Sequence, residues 1–404
     1  MVLERFGIYG WGSIEPILIP ALTAKLPVLF MGTHGSAKTD GAVALIRILT
    51  GPNAKVQKYD VPNLQADELL GFPNPSDLAA GRPMTYIPTP ISVWDKTGII
   101  LDELNRAQYM TQNKIIELIR EGSVMGMPTA VEYVIGAVNP PQTYGSMYME
   151  LALASRFIVV RVPDLADFDA PQLTAVLNSK ITTYNSTAFL TLIQDVRDAV
   201  LDPKAIQQIQ KLVIQVALYL QSVLAKAPGE PGYSVRSMKM LYKLIDTSEK
   251  LRLQSDDYAL LVTDHTLLDL ILSTIPEVWG ITSKTVQRNI IVSELQQILS
   301  GFSIGAATIH SVNIDDLLAM DLAREDIMAW GTNVLQKAQR INSISTFERT
   351  VHSLRPKLKF LPQDVGNSIL LALLERAAVL GLIPLNSPLT DEGLRALLQK
   401  VFGI

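Results

Sequence analysis

The sequence predicts an α/β domain built on a parallel sheet, followed by a second half that is nearly all helical. Up to about position 163, short apolar and β-branched runs alternate with segments of helical periodicity. Such runs are typical of parallel strands covered by helices on both faces of a sheet. Beyond that position, apolar residues recur three and four positions apart, which indicates helices with one buried face. The predicted strands span 28–31, 98–101, 133–138 and 158–162, and the first predicted helix spans 39–49.

The composition restricts the class of protein. At 404 residues the chain is longer than one hydrophobic core usually serves, so we expect two or three domains. The formal net charge of -4 gives no general attraction to nucleic acid. With no cysteine and four histidines far apart, a structural zinc site is not expected. We see neither a signal peptide nor the roughly 18 uninterrupted apolar residues of a membrane span, and therefore expect a cytoplasmic protein.

A segment rich in proline, glycine and asparagine interrupts the first half at 61–94. Its composition breaks regular structure, so we expect an insertion at the sheet edge with at most one short helix. No strand is expected after Pro163. Helical periodicity at 189–200, 206–216 and 241–245 predicts helices there, and Thr/Ser caps after Gly280 indicate a joint.

The segment from Gly32 to Thr39 carries the strongest functional signal, because it follows a predicted strand and opens a predicted helix. Small residues let successive backbone N–H groups curl around a phosphate, and the helix N-terminus favours the negative charge. Lys38 would reach the β and γ oxygens of a nucleotide, and the Thr39 hydroxyl would bind Mg²⁺. The predicted nucleotide-binding residues are Gly32, Thr33, His34, Gly35, Ser36, Ala37, Lys38, Thr39 and Asp40.

Two positions depart from the usual phosphate-binding loop. Ala37 stands where glycine normally precedes the lysine, and Asp40 adds a carboxylate in the first helical turn. Alanine fits if its Cβ points away from the phosphate. A glycine-rich strand-to-helix turn without a ligand is the alternative interpretation of this segment taken alone.

Two further strand ends carry polar residues that suit the same site. Asp102 and Glu103 end the second apolar strand, where Asp102 would hold Mg²⁺ through water and Glu103 would orient or deprotonate the attacking water. Asn139 follows the third strand and could fix that water near the γ-phosphate if the strands are neighbours. Taken alone, the acidic pair could be a helix N-cap and the Asn-Pro dipeptide a turn.

With Lys38, Asp102, Glu103 and Asn139 in this order, the chain resembles AAA+ ATPases. The stretch 101–107, Leu-Asp-Glu-Leu-Asn-Arg-Ala, is similar to the signature of the MoxR branch of the helix-2-insert clade, and its glutamine-containing helix matches 111–122. The resemblance extends from about 13 to 279. It implies an AAA+ P-loop core over 1–165 with the helix-2 insert at 61–94, an all-α lid over 166–281, and an additional all-α C-terminal domain over 282–404.

The resemblance also implies two catalytic arginines. Arg156 matches the arginine finger that enters the site of the next subunit, although Ser155 replaces the aspartate usual in the family. Arg236 matches the sensor-2 arginine that contacts the γ-phosphate. An arginine supplied in trans accelerates phosphoryl transfer by roughly 10³ to 10⁵ in GTPases, so we expect an inactive monomer. An ordinary salt bridge is the alternative for either residue.

The function that the resemblance implies is ATP hydrolysis with Mg²⁺ by a hexameric ring that remodels a client or adaptor protein. Relatives work with proteins bearing a von Willebrand factor A domain. Phe72 or Tyr86 of the insert would touch a client, or else pack internally. The apolar helices at 363–374 and 391–398 would bind a partner, or else form their own core.

Two alternatives remain open from the sequence. A nucleic-acid motor or restriction-type translocase uses the same ATPase core, although the acidic balance argues against nucleic acid as a partner. A slow nucleotide-switched scaffold is the second alternative, and Ala37, Asp40 and Ser155 give it support.

Overall fold

The structure is a computed structural model of the chain. It describes residues 3–140, 147–178, 187–225, 232–255, 258, 264–284, 286–300 and 309–311, and separate positions between 334 and 377. These residues fall into two compact units, Met1–His310 and Ser311–Ile404.

Strands and helices alternate in the first half of the first unit. The strands are β1 (Val28–Met31), β2 (Val56–Asp60), β3 (Phe72–Pro73), β4 (Tyr86–Ile87), β5 (Gly98–Asp102), β6 (Ser123–Val124), β7 (Met127–Pro128), β8 (Tyr133–Val138), β9 (Ile158–Arg161), β10 (Ala199–Leu201) and β11 (Ile309–Ser311). The helices are α1 (Glu15–Thr23), α2 (Lys38–Thr50), α3 (Ala66–Leu70), α4 (Pro75–Ala79), α5 (Tyr109–Glu121), α6 (Leu151–Ala154), α7 (Ala170–Asn178), α8 (Thr187–Asp198), α9 (Pro203–Leu224), α10 (Val235–Gln254), α11 (Asp264–Ser273) and α12 (Arg288–Ser300).

Five strands form a parallel sheet in the order β2-β5-β8-β1-β9. Successive side chains of a strand point to opposite faces, and the apolar runs therefore supply both faces. Phe30 of β1 packs in one buried cluster with residues of α1 and α2, whereas its neighbour Leu29 packs in a second cluster with residues of α5. The prediction of a parallel sheet covered on both faces is confirmed.

The helices after β9 extend the first of these clusters. Leu212 of α9, Leu244 of α10 and Leu270 of α11 are fully buried in it together with Leu18 of α1. The predicted domain boundary at 281 stays a prediction, and Ile291 of α12, beyond it, packs in the same cluster.

One strand was missed, and one expectation about strands was wrong. The edge strand β2 was not predicted, and β10 contradicts the expectation that no strand follows Pro163. Val200 lies in β10, and not in the helix that the periodicity predicted. The reason is local, because α8 ends at Asp198 and Asp202 caps the next helix by accepting a hydrogen bond from the Ala205 N–H at 2.9 Å.

The expectation of at most one short helix in the insertion at 61–94 was also wrong. The segment contains α3 and α4, and β3 pairs with β4 in an antiparallel arrangement. Local capping explains α3, since the Glu68 carboxylate accepts a hydrogen bond from the Gln65 N–H at 2.9 Å. Pro75 opens α4, a position where its missing N–H costs nothing.

Described positions of the second unit beyond Ser311 are helical, and most of them are buried, among them Val334, Phe347, Ile369 and Leu373. The helices predicted at 363–374 and 391–398 lie outside the described residues, apart from 369 and 371–373. Among the helices that the structure describes, none is both long and apolar enough to span a membrane.

Candidate phosphate-binding site

Three polar segments meet at the carboxyl end of the sheet. The loop after β1 begins at Gly32, Asp102 ends β5, and Asn139 follows β8. Because β8 lies between β1 and β5, the three segments are neighbours, as the sequence analysis required. Ligands of open α/β sheets bind at this edge, outside the carboxyl ends of the strands.

A cavity of about 290 Å³ lies where these segments meet. It is lined by the loop from His34 to Asp40, by Asp102, Glu103 and Asn139, and by two residues of β2, Lys58 and Asp60. The structure thus brings together the predicted residues of all three strand ends. It adds two charged residues that the sequence analysis did not identify.

The loop between β1 and α2 passes twice through left-handed backbone. Gly35 has φ +82°, and Ala37 has φ 56° and ψ 23°. A residue with a Cβ in this conformation costs about 1–2 kcal/mol, which explains why glycine is usual before the lysine. Since α2 begins at the next residue, the free N–H groups of its first turn lie beside the cavity.

Lys38 is buried at the start of α2, with 9% of its surface exposed. Its Nζ donates to the carbonyl oxygens of Gly32 at 2.8 Å and Thr33 at 2.6 Å, and it lies 3.2 Å from Oδ1 of Asn139. Burial lowers the pKa of the Lys38 ammonium, while the charges of Asp102 and Asp164 act in the opposite sense. The carbonyl oxygens of the loop therefore hold the Lys38 ammonium group at the wall of the cavity.

One oxygen of Asp102 makes two contacts. Oδ2 accepts a hydrogen bond from the Thr39 hydroxyl at 3.1 Å and lies 2.7 Å from Nζ of Lys58. The other oxygen, Oδ1, accepts from the Glu103 N–H at 3.0 Å. Adjacent hydroxyl and carboxylate oxygens are the hard donors that Mg²⁺ prefers, with water and phosphate oxygens completing its shell. Thr39 and Asp102 fit such an ion.

Glu103 sits at a left-handed backbone position with φ 51° and ψ 39°. It precedes the 3₁₀ helix Leu104–Arg106, yet its side chain makes no capping hydrogen bond. Instead its Oε2 accepts from Nη1 of Arg106 at 2.7 Å. The acidic side chain thus lines the cavity as the ion-pair partner of Arg106 and does not cap the helix.

Asn139 is buried and bonded on both ends of its amide. Its Oδ1 accepts from Lys38, and its Nδ2 lies 3.2 Å from Nε2 of His34. The backbone carbonyl of Asn139 accepts a hydrogen bond from Nδ2 of Asn105 at 3.2 Å. Nδ2 of Asn105 also donates to the backbone carbonyl of Met147 at 3.2 Å. Asn105, which is 4% exposed, therefore positions the segment that carries Asn139.

Solved structures of other proteins have a similar fold. A protein of Cytophaga hutchinsonii assigned as an ATPase is similar with a TM-score of 0.50 and 15% identity, over 75% of this chain and 93% of that one. The chain shares that fold, an α/β P-loop domain with a parallel sheet followed by helices. A full-length MCM homologue of Methanopyrus kandleri is similar at 12% identity and a TM-score of 0.40, over 70% of this chain and 59% of that one. No family model matches the sequence, and no curated protein matches it.

The two predicted arginines lie apart from the cavity. Neither Arg156 nor Arg236 lines it. Arg156 is 8% exposed and donates through Nη1 to the Ala152 carbonyl, while its buried Nε has no hydrogen-bond partner in the described part of the chain. Burial lowers the pKa of Arg156, and the positive charges of Arg236 and Arg120 lower it further. The predicted arginines thus belong to one positively charged group away from Lys38.

The predicted aromatic residues of the insert have different surroundings. Phe72 is 56% exposed, so the internal packing that the sequence also allowed does not occur. Tyr86 is half-buried, and its ring lies 6.1 Å from that of Trp94. Met84, Ile87 and Ile91 are further exposed apolar residues of this segment.

Sequence reasoning missed Lys58, Asp60, Asn105 and Asp164. Asp164 accepts a hydrogen bond from the Thr33 hydroxyl at 2.8 Å, and this bond is the main cause that lowers the pKa of its carboxyl group. Asn105 belongs to the quoted stretch 101–107, so the motif itself was a signal for it. Lys58 and Asp60 could have been found only by predicting β2.

Proposed function

We propose that the protein is a Mg²⁺-dependent ATPase of MoxR type that assembles as a ring and remodels a partner protein. The observation that carries the proposal is the convergence of Lys38, Asp102 and Asn139 at the ends of three adjacent strands around one cavity. A lysine held beside an amide, next to a hydroxyl bonded to a carboxylate, suits the terminal phosphates of ATP and a divalent cation.

The loop would bind the triphosphate through its backbone. The N–H groups between Gly35 and Thr39 and the start of α2 provide donors and a favourable helix dipole. Lys38 would exchange the carbonyl oxygens of Gly32 and Thr33 for phosphate oxygens, and such charge-assisted bonds are stronger than those to neutral carbonyls.

Thr39 would hold Mg²⁺ directly and Asp102 through water. When bound, the ion neutralises charge on the β and γ oxygens and so favours departure of the diphosphate. Asp102 keeps its position through the Thr39 hydroxyl and the Glu103 N–H, which orient its two oxygens separately.

Glu103 would act on the attacking water. The water oxygen forms a bond to the γ-phosphorus, its proton passes to the Glu103 carboxylate, and the bond to the β–γ bridging oxygen breaks to give ADP and phosphate. Asn139 would orient the water through its amide, which the contacts with Lys38 and His34 hold in place.

Arg156 and Arg236 would complete the site of the neighbouring subunit. Both lie away from their own phosphate cavity, and the buried Nε of Arg156 has no hydrogen-bond partner among the residues that the structure describes. A guanidinium with an unused donor suits the phosphates of an adjoining molecule once the side chain turns outward. A closed ring, which we take to be hexameric, would give every subunit such a neighbour.

The partner would be a client or adaptor protein, such as one with a von Willebrand factor A domain, encountered in the cytoplasm. The exposed apolar residues Phe72, Ile87 and Ile91 support contact between the insert and a polypeptide. ATP turnover and ring formation by wild type and Glu103→Gln test the proposal. We expect hydrolysis by wild type, and a stable ATP-bound ring with little hydrolysis in the variant. Equal turnover by both proteins would reject it, and stimulation by DNA would favour a nucleic-acid motor instead.

A further inference from the structure

Lys58 introduces a positive charge at the place where a metal ion would bind. Its Nζ lies 2.7 Å from Oδ2 of Asp102, the same oxygen that accepts the Thr39 hydroxyl at 3.1 Å. Lys58 lines the cavity, and half of its side chain is exposed, whereas the side chain of Asp102 is 22% exposed. The ammonium can therefore reach phosphates in the cavity without disturbing the core.

The geometry of β2 fixes this placement. β2 pairs with β5 in parallel register, with Asp60 opposite Asp102 and Lys58 opposite Ile100. Because side chains alternate along a strand, Lys58 and Asp60 share one face while Tyr59 is buried on the other. Asp60 accepts from Nδ2 of Asn63 at 2.7 Å, so Asp102 is the carboxylate that pairs with Lys58.

We propose that Lys58 is a positioning residue that neutralises Asp102 until a metal–nucleotide complex binds. This inference rests on the proposed function. A divalent cation and an ammonium cannot share one carboxylate oxygen without strong repulsion. Binding of the metal near Oδ2 displaces Lys58, and the displaced ammonium gains a triphosphate as its new anionic partner. Lys58 thereby disfavours metal binding in the absence of nucleotide and favours nucleotide binding in the absence of metal.

Lys55 provides a matched control on the same edge of the sheet. It also forms a 2.7 Å ion pair, with Asp95, and its side chain is 63% exposed. Neither Lys55 nor Asp95 lines the phosphate cavity. Lys55→Met therefore removes the same charge from a similar pair outside the site, and Asp95 keeps Lys96 as a partner at 2.6 Å.

The test is binding of Mn²⁺ to the nucleotide-free full-length protein, measured by electron paramagnetic resonance. We expect Lys58→Met to bind Mn²⁺ roughly five- to tenfold more tightly than wild type, since one repelling charge is removed a few ångströms from the ion. Lys55→Met and Lys58→Arg should bind it as wild type does. Equal affinity in Lys58→Met and wild type, tightening in Lys55→Met as well, or no Mn²⁺ binding by Lys58→Met would each overturn the inference.

A second measurement separates this inference from the proposed function. Binding of a fluorescent ATP analogue in the presence of EDTA should weaken several-fold in Lys58→Met and not in Lys55→Met. If wild type binds no nucleotide with or without Mg²⁺, the proposed function fails, and the Mn²⁺ comparison still decides the role of Lys58 at Asp102. Circular dichroism shows whether each variant is folded.

Discussion

Nζ of Lys38 lies 3.2 Å from Oδ1 of Asn139, although 101 positions separate the two residues in the chain. The contact exists because Lys38 starts the helix after β1 and Asn139 follows the adjacent strand β8. It joins the phosphate-binding loop to the residue that we propose orients the attacking water. Hydrolysis should therefore depend on Asn139 more strongly than nucleotide binding does.

Asn139→Ala should lower kcat by about a hundredfold and leave KM nearly unchanged, because a group that acts on the reacting water contributes mainly in the transition state. Steady-state ATPase measurements check this. Asn178→Ala, at the exposed end of α7, is the control and should behave as wild type. A variant of Asn139 with normal kcat would remove this residue from the mechanism.

Substitutions at Ala37 and Gly35 should change stability in opposite directions. Ala37→Gly should stabilise the protein, because it removes the cost of about 1–2 kcal/mol for an alanine in left-handed backbone. The greater flexibility of glycine in the unfolded chain offsets about 0.5–1 kcal/mol of this gain. Gly35→Ala should destabilise by about 1–2 kcal/mol through backbone conformation alone, since an added Cβ would meet no atom within 4 Å. Urea unfolding of the full chain measures both. Destabilisation by Ala37→Gly would show that the loop needs the methyl group.

Mixing inactive variants should restore activity if the site is shared between subunits. Arg156→Ala and Glu103→Gln damage different halves of the proposed site, so each should be nearly inactive alone. In a mixed ring, a site is intact where an Arg156→Ala subunit supplies Glu103 and its Glu103→Gln neighbour supplies Arg156. At equal amounts and random order this holds for about one interface in four, so we expect roughly a quarter of wild-type activity. Failure of confirmed mixed rings to hydrolyse ATP would argue that Arg156 acts within its own subunit.

Glu277 should make the protein less stable at neutral pH than at acid pH. Burial raises the pKa of its carboxyl group, so the folded protein prefers the protonated form. The stability that Glu277 contributes is full below its unfolded pKa and is lost as pH rises through its folded pKa. Glu277→Gln should thus raise Tm at pH 7 and have little effect near pH 4, as thermal unfolding at both pH values would reveal.

Glu249→Gln is the control for this prediction, because Glu249 is also buried but has a cationic partner. Its oxygens accept from Nε and Nη2 of Arg252 at 2.7 and 2.5 Å. Loss of the negative charge should lower Tm at pH 7, with a cost of about 1–3 kcal/mol. If both substitutions shifted Tm in the same direction, burial alone would not explain the behaviour of Glu277.

Four strands of the sheet could be predicted because β1, β5, β8 and β9 are short apolar runs that are almost entirely buried. β2 could not be predicted from composition. It is an edge strand in which only Tyr59 is buried, and its other positions are polar or partly exposed. Only one short helix was expected where α3 and α4 both form, since helices of five residues are too short for a periodic pattern.

The candidate site was predictable to the same extent as the strands that carry it. Lys38, Thr39, Asp102 and Asn139 converge because their strands are neighbours, and those strands were recognised. The contact of Lys58 with Asp102 depends on the register of β2, and the pair of Glu103 with Arg106 depends on side-chain conformation. Neither property can be deduced from residue types and spacing.

The central claim is that a phosphate-binding site lies at the start of α2. Calorimetric titration with the Mg²⁺ complex of an ATP analogue that resists hydrolysis tests this claim most directly. The account predicts binding by wild type, and a loss of about tenfold to a hundredfold in Lys38→Met, because charged hydrogen bonds to phosphate contribute about 1.5–3 kcal/mol. Lys55→Met, which removes an exposed lysine outside the cavity, should bind as wild type does. Equal affinity of wild type and Lys38→Met, or no binding by wild type, would contradict a phosphate site at the start of α2.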